Sequence, residues 1–182
     1  MHAQAFLKEA ADICAKLDAD AIDRMAARLS VLQGKLYIIG FGGSLANAIH
    51  MAADLRKLCD IDAIAPNIAE MTANMNDGGM DNAFSTTGAK LTDALFVLSV
   101  GGGTDKVSPA IIRQIDRAKK ASVPIFGIVG PNGGYTAEHA DICIRVPVDN
   151  LKHITPHTEA FQAVIWHALV SHPLLQKRAT KW

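Results

Sequence analysis

The chain has 182 residues, with Lys+Arg and Asp+Glu both totalling 18 and 49% of residues apolar. Balanced charge leaves no net field for nucleic acid or an acidic membrane surface. No apolar run approaches the roughly 20 residues that span a bilayer, and the N-terminal MHAQAFLKEAADIC lacks a signal core. Cys14, Cys59 and Cys143 are odd in number and form no CxxC, so they read as free thiols and a cytoplasmic protein is expected. The length suits one domain over residues 1–182, with no repeat or linker.

Phe6, Leu7, Ala10, Ile13, Cys14 and Leu17 recur with helical period, and Ile22, Met25, Leu29 and Leu32 resume it. This predicts one long helix or two, broken near Asp18–Asp20, in an N-terminal helical arm of residues 1–33. The arm packs either on its own sheet or against another subunit. Lys35–Ile39 follows as a strand, then Gly40, Gly42 and Gly43, with Ser44 where an N-cap belongs and an Ala-rich helix over Leu45–Leu58. Free N–H groups and the helix dipole would make this turn an anion site; the plainer reading is a tight βα turn with a capping serine. It is a poor dinucleotide fingerprint, because Leu45 stands where a small residue belongs and Asp60 and Asp62 precede the next strand's end. The Gly-Lys-Ser/Thr of a Walker loop is also absent. A single phosphate fits better.

Ile61–Ala65 is a weak second strand ended by Pro66. Residues 67–92 hold a short helix, the loop Asn76-Asp77-Gly78-Gly79 and another helical piece. Leu95–Val100 is the clearest buried strand, followed by Gly101-Gly102-Gly103-Thr104 and a helix to about Ala121. Strands over Pro124–Val129 and Ile142–Val146, and a helix from about His157 to Ser171, complete the pattern. Alternating strands and helices imply an α/β fold with a doubly wound, five-stranded parallel sheet. Ligands in such sheets bind beyond the strand C-termini, where strand order reverses. If the first and third strands are adjacent, Gly40–Ser44 and Ser99–Thr104 form a two-sided cradle of N–H and O–H donors.

His50 and Asp54 are spaced i,i+4 and share a helix face. Glu159 and His167 are i,i+8 on the last helix, about 80° apart. Two imidazoles and two carboxylates suit zinc or another divalent metal, and equally suit proton transfer without metal. Each also has a structural reading: His50 and His167 as core histidines, Asp54 paired with Lys57, Glu159 favoured by its helix's first turn. His153 and His157, flanking Ile154-Thr155-Pro156, read as loop histidines.

Gly40-Phe41-Gly42-Gly43-Ser44 followed by His50 resembles the first phosphate loop of sugar isomerase (SIS) domains, in particular the phosphoheptose isomerase branch. Ser99–Thr104 resembles the family's second phosphate loop and Thr158–His167 its closing helix, so the similarity covers nearly the whole chain. The resemblance implies an aldose–ketose isomerase converting sedoheptulose 7-phosphate to a heptose 7-phosphate through an enediol. It implies a homotetramer with active sites at subunit interfaces and, in some members, zinc. By position, Ser44, Ser99 and Thr104 would hold the phosphate, with Gly42, Gly43, Gly101, Gly102 and Gly103 beside them and Asn76 and Asp77 completing the sugar-phosphate contacts. His50, Asp54, Glu159 and His167 would be the metal set, with Asp54, Glu159 and His167 as catalytic groups. The family's usual Asn is here Phe41, its Glu is Asp54, its Gln is Glu159, and its serine-rich second loop is Val100-Gly101-Gly102-Gly103. The rival readings are a non-catalytic phosphosugar-binding or replication-initiator-associated SIS protein, and a phosphosugar lyase or aldolase on the same scaffold.

Overall fold

The computed structural model describes residues 1–84, 90 and 92–181. Two helices, α1 (His2–Lys16) and α2 (Ala19–Ser30), form the arm. They separate at Leu17, whose extended backbone ends α1, and at Asp18, whose carboxylate accepts from Ala21 N–H at 2.9 Å as the cap of α2. Five strands follow: β1 (Leu36–Ile39), β2 (Ala63–Ile64), β3 (Ala94–Ser99), β4 (Ile125–Val129) and β5 (Ile142–Arg145). Between and after them come α3 (Gly43–Cys59), α4 (Ile68–Gly78), α5 (Pro109–Lys120), α6 (Gly134–His139) and α7 (Ile154–Val170).

The sheet is all parallel in the order β2-β1-β3-β4-β5. The strand alternation decides what each face buries. Leu36, Ile38, Ala94, Phe96, Leu98, Phe126 and Ile128 face the layer built from α2, α3 and α7. Ile39, Leu95, Val97 and Ile125 face the opposite layer, with Met71 of α4 and Ala110, Ile111, Ile115 and Ala118 of α5. Every residue of β3 is buried, which explains why it reads as a continuous apolar run.

The helical boundaries depart from the sequence reading at several places. Asn76, Asp77 and Gly78 are not a loop but the last turn of α4, which Asn67 caps at its start. The second helical piece is a single 3-10 turn over Met80–Asn82; the remainder of the segment, residues 85–89 and 91, lies outside the described residues. The last helix begins at Ile154, so Pro156 occupies its first turn, where its missing N–H has no cost, and His157 is helical.

Asp93, buried just before β3, locks the strand's entry. Its two carboxylate oxygens accept from Lys35 N–H at 2.8 Å and Lys90 N–H at 2.7 Å. Removing it leaves both donors unmet beside the first ladder bond, Ala94 N–H to Lys35 O at 2.8 Å. Asp93→Ala is therefore expected to lower unfolding free energy by about 1–3 kcal/mol, read as a fall in the urea midpoint at unchanged slope.

Candidate functional site

The order of the sheet reverses between β1 and β3, and these two strands pair from Leu36↔Ala94 to Ile39↔Val97. Their following loops, 40–42 and 100–104, therefore lie side by side at the carboxyl edge, the position where ligands bind in such sheets. Gly42, at φ 56°, turns the chain into α3, where Leu45 N–H donates back to Gly42 O at 3.1 Å and the Gly43 and Ser44 N–H groups precede the first intrahelical bond. A side chain at Gly42 or at Gly101 would meet open space, so the backbone at both loops is accessible to a ligand.

The hydroxyls of these loops have other work. Ser44 does not cap α3; it lies inside the first turn, buried, and its Oγ accepts from Gln162 Nε2 at 3.1 Å. Ser99 Oγ accepts from Gly102 N–H at 3.0 Å. Thr104 Oγ1 accepts from Val107 N–H at 2.9 Å, and the helix expected to follow at once starts only at Pro109. The second loop is braced from behind, since Thr136 donates from both N–H and Oγ1 to Gly102 O at 2.9 and 2.7 Å, and Tyr135 N–H donates to Gly103 O. Gly102 and Gly103 have positive φ, and a side chain at Gly102 would overlap the Gly133 carbonyl. The serine and threonine hydroxyls of this edge are thus engaged within the chain, which leaves backbone N–H groups as the donors it can offer a ligand. Asn76 and Asp77, exposed on α4, bond to each other at 3.2 Å and to neither loop in any recorded hydrogen bond.

Further along α3, His50 Nε2 stands 3.5 Å from Asp54 Oδ2. The His167 ring meets that of His50 nearly perpendicular at 5.7 Å, and one ligand atom from each of His50, Asp54 and His167 falls within 4.8 Å of the others. His167 Nδ1 donates to Ala163 O at 2.8 Å, so its Nε2 carries the lone pair. Trp166 fixes both rings: it stacks on His167 at 3.5 Å and meets His50 edge-on at 4.7 Å. Glu159 stands apart from these three within the chain. Its carboxylate lies directly over Gly43, so closely that a side chain there would overlap it.

Two residues that the sequence reading passed over hold this arrangement. Asn47 Nδ2 donates to Glu159 O at 2.9 Å and to Gln162 Oε1 at 3.2 Å, and Gln162 passes the connection to Ser44. Asn47 follows Ser44 by three, and Gln162 follows Glu159 by three, so polar residues on otherwise apolar faces were the available signal. A separate cavity of about 190 Å³, lined by Tyr37, Ile39, Pro66, Met71 and Phe84 among others, shares no residue with either loop or the histidine cluster.

No protein-family model matches the chain. Among solved structures it is similar to a phosphoheptose isomerase from Neisseria gonorrhoeae, with TM-score 0.81 and 22% identity, covering 93% of this chain and 96% of that one. A phosphoheptose isomerase from Francisella tularensis gives TM-score 0.77 and 23% identity over 93% and 92%. The fold is therefore that of the sugar-phosphate isomerases. Sequence relatives narrow this further. Phosphoheptose isomerase of Rhodospirillum rubrum is 32% identical over 182 aligned positions, covering 91% of this chain and 92% of the relative. That of Chlorobaculum parvum is 32% identical over 148, covering 73% and 69%. The chain belongs to the phosphoheptose isomerase family, the branch that the loop and helix motifs resemble.

Because the Glu159 carboxylate sits against Gly43, Gly43→Ala tests its placement without touching an ionisable group. The added methyl is tolerated by helical backbone but must displace Glu159. The variant should keep its melting temperature within a few degrees while kcat/KM for the sugar phosphate falls roughly tenfold or more, the cost of misplacing a group in the site.

Proposed function

We propose that the protein is an aldose–ketose isomerase that interconverts sedoheptulose 7-phosphate and a heptose 7-phosphate. The observation that carries this reading is the alignment of a backbone anion cradle with His50 and Asp54, about two to three turns further down the same helix, where His167 of α7 joins them. A phosphate at the loop 40–44, held by first-turn N–H groups, directs the sugar along α3 toward those side chains. Without metal, Asp54 acts as the base, removing the proton from the carbon next to the ketose carbonyl and leaving an enediol. His167, its lone pair on Nε2 in the resting state, carries a proton between the two sugar oxygens, and the carbon proton returns to the neighbouring carbon. Glu159, over Gly43, orients the chain of hydroxyls near the phosphate end.

Two imidazoles and a carboxylate with their ligand atoms within 4.8 Å fit a divalent ion such as zinc, with His50, Asp54 and His167 as its holders. Bound there, the ion would engage Asp54 and His167 as ligands and would supply Lewis-acid stabilisation of the enediolate in place of their proton transfer. The comparisons with phosphoheptose isomerases support the substrate class. The whole chain acts as one SIS domain, and residues 1–33 serve as the oligomerisation arm of a homotetramer with sites at subunit interfaces. Exposed Leu7 on α1, Val31 after α2 and Val164 on α7 support such packing. The protein works in the cytoplasm, in keeping with three free cysteines, and no helix among the described residues is long and apolar enough to cross a membrane.

The reading is tested by incubating the protein with sedoheptulose 7-phosphate in D₂O. Isomerisation through an enediol should place solvent deuterium on C2 of the heptose 7-phosphate formed and, on reversal, on C1 of the sedoheptulose 7-phosphate. His167→Ala should lose a factor of ~10²–10⁴ in turnover, the usual contribution of a general acid–base group, while phosphosugar binding by calorimetry persists. Binding by the parent chain without deuterium exchange would instead identify a phosphosugar-binding protein, and products of lower mass a lyase.

A further inference from the structure

Away from the isomerase cluster, the arm meets the start of α7 through a second group of potential metal ligands. Glu9 of α1 brings Oε2 to 2.7 Å from His153 Nδ1 and 2.8 Å from His157 Nε2. The sequence reading placed both histidines in a loop; instead His153 precedes α7 as its N-cap residue and His157 is buried in its first turns, 1% exposed. His157 and His167 are ten residues apart, about 15 Å along the helix axis, so the two groups are separate.

We infer that Glu9, His153 and His157 form a second divalent-cation site, suited to zinc, that clamps the N-terminal helix onto the start of α7. Two imidazoles and one carboxylate are the ligand type of zinc rather than of calcium or magnesium. The three ligand atoms already converge from two elements within 4.8 Å. Bonds of about 2.0–2.2 Å at tetrahedral angles put ligand atoms roughly 3.3 Å apart, so the ion enters by widening the present contacts by about half an ångström. The protons now shared between Glu9 Oε2 and the two rings leave to solvent as it binds.

The surroundings support the ligands as an outer shell would. Asn150 Oδ1 accepts from Lys152 N–H at 3.1 Å, which turns Asn150 Nδ2 toward Glu9 Oε1 at 2.8 Å and leaves Oε2 as the oxygen that faces the two rings. Phe6 stacks on His157 at 4.1 Å and meets His153 edge-on at 5.3 Å, holding both rings in place. Water completes the shell.

The test uses tag-free full-length protein carrying His50→Ala and His167→Ala, which removes the isomerase cluster. After chelator stripping and dialysis with zinc, this variant should retain one zinc per chain and melt several degrees higher with zinc than without. Cobalt should give visible d–d absorption. Adding Glu9→Gln or His153→Ala, both at positions less buried than His157, should each weaken zinc binding by at least roughly tenfold and abolish the thermal shift. Failure of the His50/His167 variant to retain zinc overturns the inference, as does unchanged zinc binding after either added substitution. Because no outcome depends on turnover, the result is independent of the proposed isomerase activity.

Discussion

The parallel pairing of β1 with β3 is the constraint on which the candidate site depends. Both strands are buried at the sheet centre, and their helices leave for opposite faces, so the carboxyl ends of the two strands are left uncovered between them. Register sets the depth of the crevice. With Ile39 opposite Val97, Gly40 follows directly against the Leu98 carbonyl and the Ser44 backbone, too tight for a side chain. A residue with Cβ at Gly40 would push the first loop away from the second and open the cradle, whatever chemistry the loops carried.

The second constraint is the docking of α7 along α3. Contacts recur in rising order on both helices: Glu159 at Gly43, Gln162 at Ser44 and Asn47, His167 at His50 and Asp54. The two helices therefore run in the same direction past the crevice. Eight residues of α7 separate Glu159 from His167, about 12 Å of axis, comparable to the reach of an extended sugar phosphate. This explains why four residues that look like one ligand set by spacing divide into two stations within the chain. One carboxylate stands at the phosphate loop, and the histidines with Asp54 stand deeper. The buried amide network Asn47–Gln162–Ser44 fixes that division, because its donors and acceptors are satisfied only at this helix register.

Most of the architecture was legible because burial on both faces of a parallel sheet writes itself as short apolar runs, and amphipathic helices as a 3.6 period. The two glycine loops were legible from composition and the closing helix from its resemblance, but that the loops lie side by side was conditional until the sheet order placed β1 beside β3. What escaped depends on tertiary contact. Ser44 has the composition of a cap, but Gly42 takes the turn and Gln162, 118 positions on in sequence, captures the hydroxyl. Asn76-Asp77-Gly78 has the composition of a loop, but the Asn67 cap and burial of Met71 carry the helix through it. The last helix was expected from about His157, but it begins at Ile154, with Pro156 accommodated in its first turn. His157 itself shows no local sign of its partner, because Glu9 lies at the other end of the chain.

That long-range partner bears on the site through helix geometry. His157 and Glu159 are two residues apart on α7, about 200° around the axis, so they project to nearly opposite sides. Hydrogen bonds from Asn150, His153 and His157 hold the Glu9 carboxyl down at about 2, so the group stays ionised through neutral pH. Glu9 is thus a fixed charge gripping one side of the first turns of α7, while Glu159 rests on Gly43 from the other. A rotation of α7 large enough to free Glu159 from the loop must also pull His157 away from Glu9. The N-terminal arm therefore sets the rotational register of α7 against the first loop.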